Sequence, residues 1–288
     1  MNIFDDDVVS NKVETTDKQM VIRFYDIEVV KNLINILSQF LCDISIKFIK
    51  INNSNEVALK IDRITENKNV LIKVNIKTCN LLEYFCDSNF VIGIDLLELK
   101  RKLSEVDKND NTLTLSIEKN NLNELSYCNG KHIEKIKLIE LDYKPATMNS
   151  NYDTVIRMKS EEFKEMCELM RPWNYLKIEV KNEKYKLYVG ENYDKKIKTF
   201  CEHNCGDNYS VSTITNKTNK INYEFETLYE VNILKRLSAC NKLSSEIRLY
   251  IKEDYPLGIK FNISNIGEMI VMICPCVKES YDDNIINS

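Results

Sequence analysis

Four times along the chain, a short segment with helical periodicity is followed by segments of strand-like alternation. The first helical stretch, 26–40, carries Val29, Val30, Leu33, Ile36, Leu37 and Phe40 on one stripe. The second, 95–106, carries Leu96, Leu99, Leu103 and Val106. The third, 160–170, carries Phe163, Met166, Cys167 and Met170, and the fourth, 230–241, carries Ile233, Leu234 and Leu237. Asp26, Asp95 and Ser160 stand where N-caps belong. Alternating runs follow each helix: 44–49 and 57–61, 113–117 and 133–139, 176–180 and 185–189, 247–251 and 257–263. Lys31, Lys100, Lys164 and Lys235 mark the same place in each helix, at spacings of 69, 64 and 71 residues. A helix with a few strands, repeated four times, reads as one domain built twice.

Glycine (6) and proline (4) are scarce, so little of the chain is left for linkers. The segment 142–151, with Pro145 among small and polar residues, divides the repeats into two pairs. The expected organisation is an extension over 1–19, a first domain over 20–140, a connector over 141–152, a second domain over 153–279 and a tail over 280–288.

The net charge of −4 argues against a general basic coat for nucleic acid but leaves room for a local basic surface. Opposite the apolar stripes, the helices carry Lys31, then Lys100 and Arg101, then Lys164 among Glu161, Glu165 and Glu168, then Lys235 and Arg236. A charged helix face is ordinarily just a solvated one. It carries information here only if all four helices line one surface.

Chemistry-bearing motifs are missing. There is no P-loop, no nucleophile elbow and no metal-spaced cluster, which argues against an enzyme and calls for no cofactor. Cys201, His203 and Cys205 lie close together, but the only other histidine is His132, and zinc needs a further ligand. The ten cysteines are irregularly spaced and read as free thiols of a reducing compartment. The 5–7 Asp run reads as solvated charge. Residues 1–19 are acidic and polar, unlike a secretory signal, and no apolar run reaches the length of a membrane span.

Three blocks resemble the proliferating-cell-nuclear-antigen (PCNA) family of sliding clamps. The first is 84–103, with Tyr84, Cys86, Asp87, Asn89 and Gly93 placed as in the family pattern. The second runs from Glu140 through Tyr152 to Phe163, and the third from Leu243 through Pro256 to Pro275. Together they cover about 22–279.

The resemblance implies an α+β clamp fold: two similar domains, each with helices on one face of antiparallel sheets, assembling into a homotrimeric ring. Subunit edges would fall near 133–139 and 195–201. It further implies a processivity factor that encircles duplex DNA without reading sequence and tethers polymerase and other replication and repair enzymes bearing PCNA-interacting motifs. A clamp loader would open the ring. The setting would be intracellular, at sites of replication in a nucleus or viral replication compartment, with no membrane partner.

On this resemblance the DNA-facing residues are Lys31, Lys100, Arg101, Lys164, Lys235 and Arg236. The partner-binding groove comprises Ile64, Ile72, Tyr143, Met148, Pro256, Met272, Ile273, Cys274 and Pro275. The chain departs from the family at the acidic third helix and at 144–148 of the connector. The alternative is a monomeric, non-ring relative acting as a scaffold or transcription factor.

Overall fold

A computed structural model describes residues 17–52, 56–106, 111–129, 132–146, 152, 154–181, 184–190, 198–203, 210–213, 225–253 and 255–276. Side chains at 132, 154, 179–181, 184–190, 198–203, 210–213 and 225–226 are outside that description. Met148 and most of both terminal segments lie outside the described residues, as does Cys205.

The first half of the chain runs β1 (Lys18–Phe24), α1 (Ile27–Leu37), β2 (Asp43–Phe48), β3 (Val57–Ile64), β4 (Val70–Lys77), β5 (Glu83–Cys86), β6 (Phe90–Asp95), α2 (Leu96–Ser104), β7 (Leu113–Glu118), β8 (Asn121–Asn129) and β9 (His132–Lys137). The second half runs β10 (Thr154–Lys159), α3 (Ser160–Leu169), β11 (Tyr175–Lys181), β12 (Lys184–Gly190), β13 (Lys198–His203), β14 (Ser210–Thr213), β15 (Phe225–Glu230), α4 (Val231–Arg236), β16 (Glu246–Ile251), β17 (Leu257–Ile263) and β18 (Gly267–Ile273).

The two halves share one topology. β1 pairs with β5 and β7 as β10 pairs with β14 and β16, and β2 pairs with β3 and β6 as β11 pairs with β12 and β15. The β3·β4, β7·β8 and β8·β9 pairs likewise recur as β12·β13, β16·β17 and β17·β18. One further pairing, β4 with β18, has no counterpart among the described residues and fuses strands of both halves into a nine-stranded sheet. All these pairings are antiparallel, so strands can keep one face on the core and one toward water.

Helix starts follow local chemistry. Asp26 accepts from the Glu28 amide at 2.8 Å, and Asp95 accepts from the Leu97 and Glu98 amides at 2.8 and 3.0 Å. Ser160 is not the third cap. Lys159 holds that position, and the Ser160 hydroxyl instead donates to the Ser244 carbonyl, because it is buried against that turn. The fourth helix is shorter than the 230–241 periodicity predicts. It stops at Arg236 and continues as a 3-10 turn, Ser238–Lys242, over which the buried Leu237 and Cys240 still face the core.

The helices form one layer: α2 packs on α1, α1 on the 3-10 turn after α4, and that turn on α3. Ile34, Leu37, Leu99, Phe163, Leu234 and Leu237 are buried beneath it. The condition for reading the helix faces together is therefore met.

The sequence reading takes two strands after each helix, so it leaves out β4, β5, β8, β14 and β18 as well as the strand before each helix (β1, β6, β10 and β15). β1 and β10 are mid-sheet and mix buried residues on both faces, which blurs their alternation.

Candidate nucleic-acid interface and outer-face groove

The resemblance motif at 84–89 is structural. Burial raises the Tyr84 hydroxyl well above the ordinary tyrosine range, so it stays a neutral donor. Its oxygen lies 2.7 Å from the Ile49 and Ala58 carbonyls and accepts from the Ile49 amide at 3.2 Å. Asn89 accepts from the Lys50 amide at 2.6 Å. Tyr84 thus ties the end of β2 to β3, and Asn89 ties it to the turn before β6.

Each of the six expected DNA-facing cations sits on the helix layer and has a local partner. Lys31 lies 3.2 Å from Glu28, with only 17% of its side chain exposed. Lys100 donates to the hydroxyl of Ser38, the C-cap of α1, at 3.3 Å, and Arg101 pairs with Glu105 at 2.8 Å. Lys164 lies 3.6 Å from Glu161, and Lys235 donates to the Arg171 carbonyl at 2.7 Å and to Asn232 at 3.0 Å. Arg236 donates to the Gln39 carbonyl at 3.0 Å and stands over the Phe40 ring at 5.7 Å. Glu161, Glu165 and Glu168 are exposed on α3. The Asn241 amide and Lys164 hold the Glu161 carboxyl below its ordinary value, so α3 is an anionic stretch of the layer.

The groove positions divide by strand parity. Ile72 and Ile273 are fully buried on the helix side of the sheet. Their neighbours Leu71 and Met272 point to the opposite, outer face, because successive side chains alternate. Strand register sets one outer-face row running Val155, Tyr250, Gly258, Met272, Leu71 and Ile64.

Tyr143 and Tyr152, at either end of the connector, both rest on this face. The Tyr143 hydroxyl donates to Asp62 at 2.7 Å, and Lys47 stands 5.7 Å from its ring. The Tyr152 hydroxyl donates to the Pro256 carbonyl at 3.0 Å, and a Cβ on Gly258 would stand 3.2 Å from that hydroxyl. Cys274 is exposed, Pro275 half-buried and Ile64 exposed at the rim. Met148 lies outside the described residues. The sequence reading missed Leu71, Val155, Tyr250 and Tyr152. The alternation in Val-Leu-Ile-Lys-Val-Asn-Ile-Lys of β4 was the signal for Leu71.

The connector starts by lying on β6. Ile139 donates to the Gly93 carbonyl at 3.0 Å, and a Cβ on Gly93 would fall 2.3 Å from the Ile139 carbonyl. Only glycine admits that approach.

Among solved structures, the chain matches PCNA of Entamoeba histolytica with a TM-score of 0.73, at 13% identity, over 90% of this chain and 100% of that one. The fold is that of a PCNA-type sliding clamp. Curated relatives agree. The chain is 25% identical over 232 residues to a probable DNA polymerase sliding clamp of Acanthamoeba polyphaga mimivirus, covering 77% of this chain. It is 24% identical over 265 residues to probable DNA polymerase sliding clamp 1 of Paramecium bursaria Chlorella virus 1, covering 86% of this chain and 93% of that protein. It spans about half, 48%, of the length of the mimivirus relative. No protein-family model matches it. The clamp fold accounts for the helix layer, the outer-face row and the connector as one design.

Among the described residues no group of His, Cys, Asp and Glu could hold a metal ion, and no helix is long and apolar enough to cross a membrane. The described cysteines with placed side chains form no disulfide.

Proposed function

We propose that the chain is a DNA polymerase processivity factor, a sliding clamp without chemistry of its own, acting at sites of DNA replication. Three copies, each of two domains over about 20–140 and 153–279, close around duplex DNA. The observation that carries this is the unmatched β4·β18 junction. β9 holds in the first half the place β18 holds in the second, and β13 holds in the second half the place β4 holds in the first. Among the described residues, both β9 and β13 are edges of their sheets. β9 of one copy and β13 of the next can therefore repeat the internal junction. Ile133, 69% exposed on β9, is the kind of apolar edge residue that needs such a cover.

In the ring, the helix layer faces the DNA. Its cations give weak, salt-dependent attraction to phosphate without base readout. Each already has a partner, so binding phosphate means exchanging one hydrogen bond for another. That keeps the grip loose, as sliding requires. The accessible members of the outer-face row, Ile64, Leu71 and Tyr250, receive the anchors of polymerase and other replication enzymes, with the buried Val155 and Met272 beneath them, and a clamp loader opens the ring.

Solution mass tests the ring. The intact chain should run near three times 33.8 kDa, and Ile133→Lys should lower it to one copy with the fold retained. An intact chain at one times that mass, as expected of a scaffold outside any ring, would refute the reading.

A further inference from the structure

The outer face of the nine-stranded sheet carries a second row, next to the apolar one. Register aligns Arg157 with Arg248, Arg248 with Lys260, Lys260 with Ile270, Ile270 with Lys73, and Lys73 with Asp62. Four of these six positions are cationic, and three of the four are direct neighbours across consecutive strands. The row lies two residues along the strands from the apolar one, a separation of about 7 Å. From Arg157 to Lys73 it crosses four strand spacings, or about 19 Å.

Like charges placed directly opposite each other on a sheet destabilise it. Here that cost is only partly offset. Arg248 pairs with Glu246 at 3.0 Å, Lys260 with Glu268 at 2.8 Å, and Lys73 lies 3.8 Å from Asp62. Arg157 is exposed and has no ion-pair partner among the described residues. Arg248, Lys260 and Lys73 keep 41%, 26% and 25% of their side chains exposed, so a ligand can reach all four. A surplus of positive charge on the outer face is unexpected in a chain of net charge −4.

We propose that this ladder selects partners whose apolar anchors are accompanied by carboxylates: an acidic peptide segment laid across Arg157, Arg248, Lys260 and Lys73. The inference rests on the reading of the apolar row as the docking groove and names the partner class that groove prefers. Two observations favour a peptide over nucleic acid. An apolar row parallel to a cationic one about 7 Å away matches a segment with both kinds of side chain. The acidic groups within the patch (Asp62, Glu246 and Glu268) repel a continuous polyanion but can be bypassed by spaced carboxylates. The chain's own partners in the ladder show the geometry that a carboxylate takes there.

The test uses the full-length protein and two synthetic peptides with the same aromatic anchors, one flanked by Asp and Glu, the other by Lys and Arg. Isothermal titration at low and high salt should show the acidic peptide binding roughly 10-fold tighter at low salt, with the preference shrinking as salt screens it. Arg157→Glu with Lys260→Glu should abolish the preference while leaving the basic peptide bound. Circular dichroism and solution mass, unchanged from the parent, establish that the double variant is folded. Equal binding of both peptides would overturn the inference and leave the docking groove standing. Binding of neither would overturn both. A double variant that loses affinity for duplex DNA while its peptide binding is unchanged would assign the ladder to nucleic acid and overturn the inference as well.

Discussion

The Arg236 guanidinium donates to the Gln39 carbonyl at 3.0 Å, and in doing so bridges the two halves of the chain on the helix layer. Its position over the Phe40 ring, at 5.7 Å, adds a cation–π contact. A residue that looks from the sequence like a phosphate ligand is thus also a clasp between α4 and the end of α1. Arg236→Ala is expected to cost about 1 kcal/mol, which calorimetry would read as a Tm lower by roughly 2–4 °C. Charge reversal of Arg101, whose side chain is 58% exposed and makes no bond to the other half among the described residues, should lower DNA affinity with little change in Tm.

Leu71 and Ile72 are neighbours in sequence on opposite faces of β4, one half-buried on the outer face and one fully buried in the core. Leu71→Glu is expected to fold and to lose anchor-peptide binding by about 10-fold or more, since it places a charge in the apolar row. Ile72→Glu buries that charge in the core instead and should cost more than about 4 kcal/mol. Urea unfolding beside peptide titration separates the two outcomes.

Gly93→Val places side-chain carbon where the Ile139 carbonyl stands, 2.3 Å from the first added atom. Backbone cannot swing aside as a flexible side chain can, so the start of the connector must lift from β6. The expected loss is about 1–3 kcal/mol. Hydrogen exchange should show faster exchange at the Ile139 amide, whose hydrogen bond to Gly93 is broken.

Glu268 gives the sheet an acid-sensitive contact. Burial pushes its carboxyl up, but Lys260 at 2.8 Å and Asn75 outweigh burial and leave it below its ordinary value of 4.5. A depressed folded-state pKa means that the pair's stabilisation is complete above that ordinary value and is lost as pH falls through the lower, folded one. Glu268→Gln should therefore lower Tm at pH 7 and have progressively less effect as pH falls below the ordinary 4.5, as measured by thermal unfolding across the acid range.

Much of this fold is legible in the residues. The apolar stripes of α1, α2 and α3, the caps at Asp26 and Asp95, and the alternation of β2, β7, β11, β16 and β17 are all local signals, and local chemistry produces those elements. The site is legible only in part. Lys31, Lys100 and Arg101 were identifiable from helix phase, but their partners Glu28, Ser38 and Glu105 follow from side-chain packing. Ile273 is grouped with its neighbour Met272 because β18 is apolar on both faces, which hides which parity faces the core; in β4 the polar residues at 73, 75 and 77 mark the outer parity, so Ile72 is one residue out of step with a legible pattern.

Sequence alone settled that four helix-and-strand units repeat, since periodicity and capping act within a few residues of one another. Only the tertiary structure decided that the four helices share one layer, that β4 and β18 join the halves, and that, among the described residues, β9 and β13 stand at sheet edges. Those outcomes depend on pairings between residues up to about two hundred positions apart, for example Val70 with Ile273. Hydrogen bonding between strands is indifferent to sequence distance, so no local pattern encodes which edges meet.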